Sequence, residues 1–290
     1  MQEDRWQIGG ASLAPVHETD AGSIIQAGIR QATPERLAEI SWLAPRFSDS
    51  EGKMRAVVQA FVIIMDGARV LVDTCVGNAK ARPGLPEWGG LETAFLDRLA
   101  AQGLGPDHID FVICTHFHFD HVGWNTKLAA GKWVPTFPRA RYIFSKDEFD
   151  YWQAQPENEN ADDRAGFADS VLPIVEAGLA ELVPPDHEVC AGISLLPTPG
   201  HTPGHVSVQV ESQGERAIIT GDALHHPCQV AHPEWGEFSD FYPELARRSR
   251  LALLESCADS QTLLIGSHFA RPAANMIRRE AGGFRVATYG

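Results

Sequence analysis

An α/β fold, with β-sheets that carry helices on their outer faces, is what this 290-residue sequence predicts, and three observations predict it. Strand-like apolar runs alternate along the chain with runs of helical periodicity. Several of the apolar runs, such as Phe111-Val112-Ile113-Cys114, lack polar alternation, as strands covered on both faces do. The composition, 44% hydrophobic and 21% charged, suits a globular chain with a sizeable core and excludes disordered and fibrous classes. One compact domain is expected over residues 56–290, with residues 1–55 as an amino-terminal arm that belongs to it.

In chain order, Thr33-Pro34-Glu35-Arg36 supplies a cap and a Pro at the first helical position, so a helix is expected through the LAEISWL that follows. AVVQAFVIIM and RVLVDTC, joined by Asp66-Gly67, read as a hairpin. Residues 91–104 have helical periodicity that stops at Gly103 and Gly105, and the strand 111–114 delivers Thr115-His116. RYIFS (141–145) is a strand and KDEFDYWQA a short helix, while the polar stretch 155–164 reads as an acidic loop, a linker or lid. SVLPIVEAGLAELV reads as helix throughout. Four strand-like runs follow, EVCAGISLLPT, HVSVQVES, ERAIITGDA and TLLIGSH, with the helix ELARRSRLALLESCA between the last two. No period of 20 to 50 residues repeats, so solenoids and propellers are unsupported.

Other features narrow the setting. A net charge of −14 repels a phosphate backbone, which excludes nucleic acid as the expected partner. No apolar run is long enough for a bilayer, and MQEDRWQIGG lacks the basic-then-apolar order of a signal peptide, so a cytoplasmic protein without membrane association is expected. Five cysteines, scattered without a CxxC pair, fit reduced thiols.

The chemistry lies in Thr115-His116-Phe117-His118-Phe119-Asp120-His121, directly after a buried strand. Three imidazoles and a carboxylate within six residues are donors for Zn²⁺ and similar divalent ions. In extended chain His116 and His118 point to one side and can share an ion, whereas Asp120 and His121 follow as the chain turns and can serve a second. Candidate further ligands are His201 in TPGHTPGH, Asp222 in TGDA and His268 in GSH, each at the end of an apolar run or in a Gly/Pro turn.

This motif set, HFHFDH, TPGHTPGH, GDA and SH in that order, together with DTCVG at 73–77, resembles the metallo-β-lactamase-fold superfamily over most of the chain from about residue 56. The resemblance implies a four-layer αββα sandwich, two mixed sheets with helices outside. It implies two divalent metal ions, zinc by preference: His116, His118 and His201 on the first, Asp120, His121 and His268 on the second, and Asp222 bridging them. Asp73 would orient the first ligand cluster from behind, and His205 would be a hydrogen-bonded structural residue. The implied reaction is hydrolysis by a hydroxide shared between the ions.

Within the superfamily, Asp222 stands where the common zinc β-lactamases have Cys, and the acidic charge disfavours the RNA-processing branch. Glyoxalase-II-like thioesterases read Gly-Gly after HxHxDH, where this chain reads Val122-Gly123-Trp124-Asn125. DTCVGN, DHVGWN and KWVPTFP (132–138) most resemble the N-acyl-homoserine lactonase and methyl-parathion-hydrolase-like group. That implies a small-molecule lactone or ester substrate, organophosphate triesters as a promiscuous activity, and a homodimer. Competing activities are a single-iron dioxygenase of the same fold and the glyoxalase-II-like thioesterase. Lactonases of this group often carry Tyr three residues past the bridging Asp, where this chain has His225, so Asp120 and His225 are the candidate catalytic residues. Trp124, beside the metal cluster, and Trp235, downstream of Asp222, are the candidate pocket walls.

Overall fold

The computed structural model describes residues 4–154, 160–280 and 282–288. The chain groups into two compact units, each discontinuous in sequence: Ala11–Thr19 with Val58–Pro185, and Met1–Gly10 with Asp20–Val57 and Asp186–Gly290. Residues of the expected arm are thus divided between both. The class is α/β with two mixed sheets and flanking helices: the alternation of periods predicts the class, and the family resemblance implies the two mixed sheets.

In the unit built around residues 58–185, strands Ala11–Asp20, Val57–Met65, Ala68–Val72, Phe111–Cys114, Arg141–Ser145 and Ala180–Val183 lie side by side in chain order. Val57–Met65 pairs antiparallel with Ala68–Val72 through the expected turn, with Asp66 and Gly67 both at positive φ. The next three pairings are parallel. Val112 and Ile113 in the middle of this set are fully buried, which is why their run carries no polar residue. Open α/β sheets bind ligands at the carboxyl ends of their strands, and Phe111–Cys114 ends on the metal-ligand motif.

In the other unit, Glu188–Cys190, Ile193–Pro197, Val206–Ser212, Glu215–Ile219, Leu263–Ile265, Ala274–Glu280 and Gly283–Thr288 form a seven-stranded sheet in chain order. Its one parallel pairing, Glu215–Ile219 with Leu263–Ile265, is crossed by the helix Pro243–Cys257. GDA and SH therefore leave the same end of two adjacent parallel strands.

Several elements differ from the sequence reading. The helix in SVLPIVEAGLAELV stops at Glu176, because Gly178 (φ +69°) closes a Schellman turn in which the Gly178 and Leu179 amides donate to the carbonyls of Val175 and Ile174. Ala180–Val183 then becomes a strand. In the acidic stretch, 155–159 lie outside the described residues, and from Asn160 onward the chain is helical: the Asn160 carboxamide caps Ala161–Gly166 by accepting from Asp162 and Asp163. Thr33 caps its helix as expected, but that helix ends at Ala38. Only Phe95–Ala101 of 91–104 is helical.

One buried carboxylate ties the arm to the unit of the HxHxDH motif. Glu18, on the strand Ala11–Asp20, accepts from the amides of Val76 (2.7 Å) and Gly77, from Thr93 Oγ1 and from Trp124 Nε1 (2.5 Å). Burial pushes its carboxyl above the ordinary range, partly offset by these four donors.

Candidate functional site

Each unit holds a cluster of imidazole and carboxylate. In the first, the turn 73–77 puts Asp73 (φ +58°) and Cys75 (φ +53°) in the left-handed region, a conformation that needs outside support. The support is mutual with the motif. Thr74 N donates to the His121 carbonyl, and Gly123 N donates to the Cys75 carbonyl at 2.7 Å. A Cβ on Gly123 would lie 1.8 Å from the Val76 carbonyl oxygen, so only glycine permits this approach. The turn thereby aims the Asp73 carboxylate at the motif, where it accepts from Thr115 N at 2.8 Å, from the Thr115 hydroxyl, and from His121 Nδ1 at 2.8 Å.

His116 and His118 lie on the extended segment before the one-turn helix Phe119–Val122, which carries Asp120 and His121. His116 Nε2 and His118 Nδ1 are 3.2 Å apart. Two nitrogens at about 2.05 Å from one tetrahedral zinc would be separated by about 3.3 Å. Behind them, Glu148 accepts from Phe117 N and from Trp152 Nε1, and Asp163 accepts from Phe119 N.

In the second unit, Asp222 sits in the turn Gly221–Ala223 and is 3% exposed. Its Oδ1 is 3.3 Å from His268 Nε2, while its Oδ2 is 3.5 Å from His201 Nε2 and 3.2 Å from His225 Nε2. The two oxygens thus face different imidazoles. The ligand atoms of His201, Asp222 and His225 all lie within 4.8 Å of one another. Burial pulls the His225 imidazole down, but Asp222, Glu237 and Asp240 together push its pKa above the ordinary value.

Four of these imidazoles share one feature. Nδ1 faces an oxygen in each: Thr115 Oγ1 for His116 (3.1 Å), Asp73 Oδ2 for His121 (2.8 Å), Asp240 Oδ1 for His201 (3.0 Å) and the Val57 carbonyl for His268 (2.9 Å). An imidazole that donates Nδ1–H offers Nε2 as a lone pair, and metal-ligating histidines are backed in this way. The donor set and its backing therefore fit divalent ions such as zinc.

His205 is arranged differently. Its Nε2 accepts from Asp222 N (2.9 Å) and its Nδ1 meets Thr198 Oγ1 (2.9 Å), so Thr198 orients a ring that holds the Asp222 backbone. His205→Asn is expected to destabilise the fold by about 1–3 kcal/mol, the cost of an unmade buried hydrogen bond, with metal content unchanged. Denaturant unfolding beside metal analysis checks this, and a selective loss of metal at unchanged stability would make His205 a ligand.

The two tryptophans are engaged by protein. Trp124 stacks on Phe95 (centroids 5.6 Å apart) and donates to Glu18, and Trp235 stacks on His232 (4.3 Å) under the Arg36 guanidinium. At 5% and 1% exposure both are buried among these neighbours. The sequence reading missed Glu18, Glu148, Asp163 and Asp240, each buried and bonded to residues distant in sequence. Only Glu148 left a local signal, its i,i+4 spacing to Trp152. Burial would raise the Asp240 carboxyl, but His201, with the charges of His225 and Arg250, holds it at about 2.

The family model described as the metallo-beta-lactamase superfamily matches residues 55–268. The N-acyl homoserine lactonase AiiA of Bacillus thuringiensis subsp. kurstaki is 28% identical over 178 residues, 61% of this chain and 62% of that protein. The match thus spans about three-fifths of the length of such curated relatives. Among solved structures, AidC, a dizinc quorum-quenching lactonase in complex with its product N-hexanoyl-L-homoserine, superposes with a TM-score of 0.78 at 20% identity, covering 99% of this chain and 97% of that one. The hydrolase AbOPH of the beta lactamase superfamily gives 0.80 at 20% identity, with the same coverage. At these identities the two structures establish a shared fold.

Proposed function

The chain belongs to the metallo-beta-lactamase superfamily, and from that premise we propose that it is a metal-dependent hydrolase that opens lactones or cleaves carboxylic esters. His116, His118 and His201 would hold one divalent ion, and Asp120, His121 and His268 the other, with Asp222 shared. The observation that carries the reading is the Asp222 carboxylate, whose two oxygens face His268 and His201 separately. Relatives named as lactonases and a dizinc lactonase neighbour support zinc and this substrate class.

Bound ions supply Lewis acidity and a water of lowered pKa. The chain's own residues do the rest. Asp73, Asp240, Thr115 and the Val57 carbonyl fix the imidazole tautomers, so each backed histidine in its neutral form presents Nε2 as the lone pair. Asp120 is proposed at the reacting centre as a ligand of the second ion. His225 Nε2, beside Asp222, is proposed as the donor to the substrate's carbonyl or leaving oxygen. Phosphotriester cleavage as a side activity, a homodimer and a cytoplasmic setting complete the proposal. No helix among the described residues is long and apolar enough to cross a membrane.

Metal analysis of the purified protein, followed by a pH-indicator screen of lactones, aryl esters and phosphotriesters, tests this reading. Two zinc-like ions per chain with lactone turnover is expected; one iron with oxygen uptake would overturn it. Light scattering of the eluted protein tests the dimer, and a mass of one chain would reject it.

A further inference from the structure

The segment 236–242 turns inward at Asp240. Phe238 is 68% and Tyr242 51% exposed, whereas Asp240 between them is 6% exposed. A carboxylate is costly to bury unless it is bonded, so its partners define its role. Asp240 Oδ1 lies 3.0 Å from His201 Nδ1, and Oδ2 accepts from Glu237 N at 3.2 Å. The segment is also fastened to the same loop by its backbone: Phe241 N donates to the His201 carbonyl and Tyr242 N to that of Gly200. Gly200 (φ +134°) is where this fastening closes, since a Cβ there would lie 2.1 Å from Ala246 N.

The plain alternative is an ion pair between Asp240 and the buried Arg250. The distances favour His201. Arg250 Nη2 is 3.6 Å from Asp240 Oδ2, while Arg250 donates from Nε to the Ala223 carbonyl at 2.9 Å and from Nη1 to the carbonyls of Pro233 and Trp235 at 3.0 Å. Its closest partners are main-chain carbonyls. We propose that Asp240 is a positioning residue for His201: it accepts Nδ1–H, fixes the ring and the tautomer, and adds negative charge behind the imidazole, which strengthens Nε2 as a donor to a divalent ion. This inference rests on His201 being a ligand of the proposed metal centre. Arg250, on the helix Pro243–Cys257, lies 3.6 Å from the Asp240 carboxylate and donates to the carbonyl of Ala223, the residue after Asp222.

Two measurements on the full chain test it. The first is zinc affinity by chelator competition for wild type, Asp240→Ala and Asp240→Asn. The second is the ¹⁵N spectrum of the histidine rings in metal-free protein, which reports the His201 tautomer without any ion. Asp240→Ala is expected to weaken one of the two zinc equivalents by about tenfold to a hundredfold and to remove the Nδ1–H signal of His201. Asp240→Asn, which keeps an oxygen acceptor without the charge, should restore the tautomer and part of the affinity. Wild-type affinity and tautomer in Asp240→Ala, with or without a lower melting temperature, would reduce Asp240 to a structural residue and overturn the inference. A wild-type protein that binds no zinc yet keeps the Nδ1–H tautomer would instead overturn the metal reading.

Discussion

Asp222→Ala is expected to abolish turnover and to lower the occupancy of both ions. The carboxylate faces His268 Nε2 through one oxygen and His201 and His225 Nε2 through the other. Removing it takes a donor from each proposed ion at once. The same change leaves three buried imidazoles without the carboxylate that their Nε2 atoms face, so the cluster itself should loosen. Asp222→Asn, of equal volume, separates charge from packing: it should fold like wild type and still fail to retain both ions. Metal content by mass spectrometry, kcat on a lactone and circular dichroism are the measurements. Two tightly held ions with a near-normal rate in Asp222→Ala would sink the bridging assignment.

His225→Ala is expected to lower kcat on lactones by roughly tenfold to ten-thousandfold, the span that a positioned donor contributes, with both ions still bound. The imidazole is 2% exposed, lies parallel to His268 (centroids 6.0 Å apart), and its main chain is held by Gln229 Oε1 accepting from His225 N at 2.7 Å. It is therefore pre-oriented, with its Nε2 3.2 Å from Asp222 Oδ2. The loss should depend on the leaving group. Nitrophenolate departs without a proton, so aryl esters and phosphotriesters should suffer little, while a lactone expelling a basic alkoxide should suffer most. Comparing kcat on both substrate types, with metal content measured in parallel, decides the role. An equal loss on both would assign His225 to the carbonyl rather than the leaving oxygen, and fewer bound ions would make it a ligand.

Much of this was legible in the sequence because it is local. Thr33 and Pro34 start a helix wherever they stand, and Asp66-Gly67 turns a hairpin, since both act through the dihedral angles of two or three residues. The ligands were legible for a different reason: imidazoles and carboxylates crowded at the end of an apolar run have little structural use, so HFHFDH signals chemistry before any fold is known. SVLPIVEAGLAELV misled because its apolar spacing suits helix and strand alike, and only the turn at Gly178 and pairing with Arg141–Ser145 resolve it.

By itself, then, the sequence determined the class of fold, the local caps and turns and the residue types offered to metal. The tertiary structure alone decided how those residues are held. Glu18 reaches Val76 from 58 positions away, Asp240 backs His201 from 39, and Trp124 is spent on Phe95 and Glu18. A carboxylate buried against a distant donor leaves no periodicity and no motif in the chain, because its partner is chosen by packing and by the cost of leaving a charge unpaired, and neither is a property of neighbouring residues.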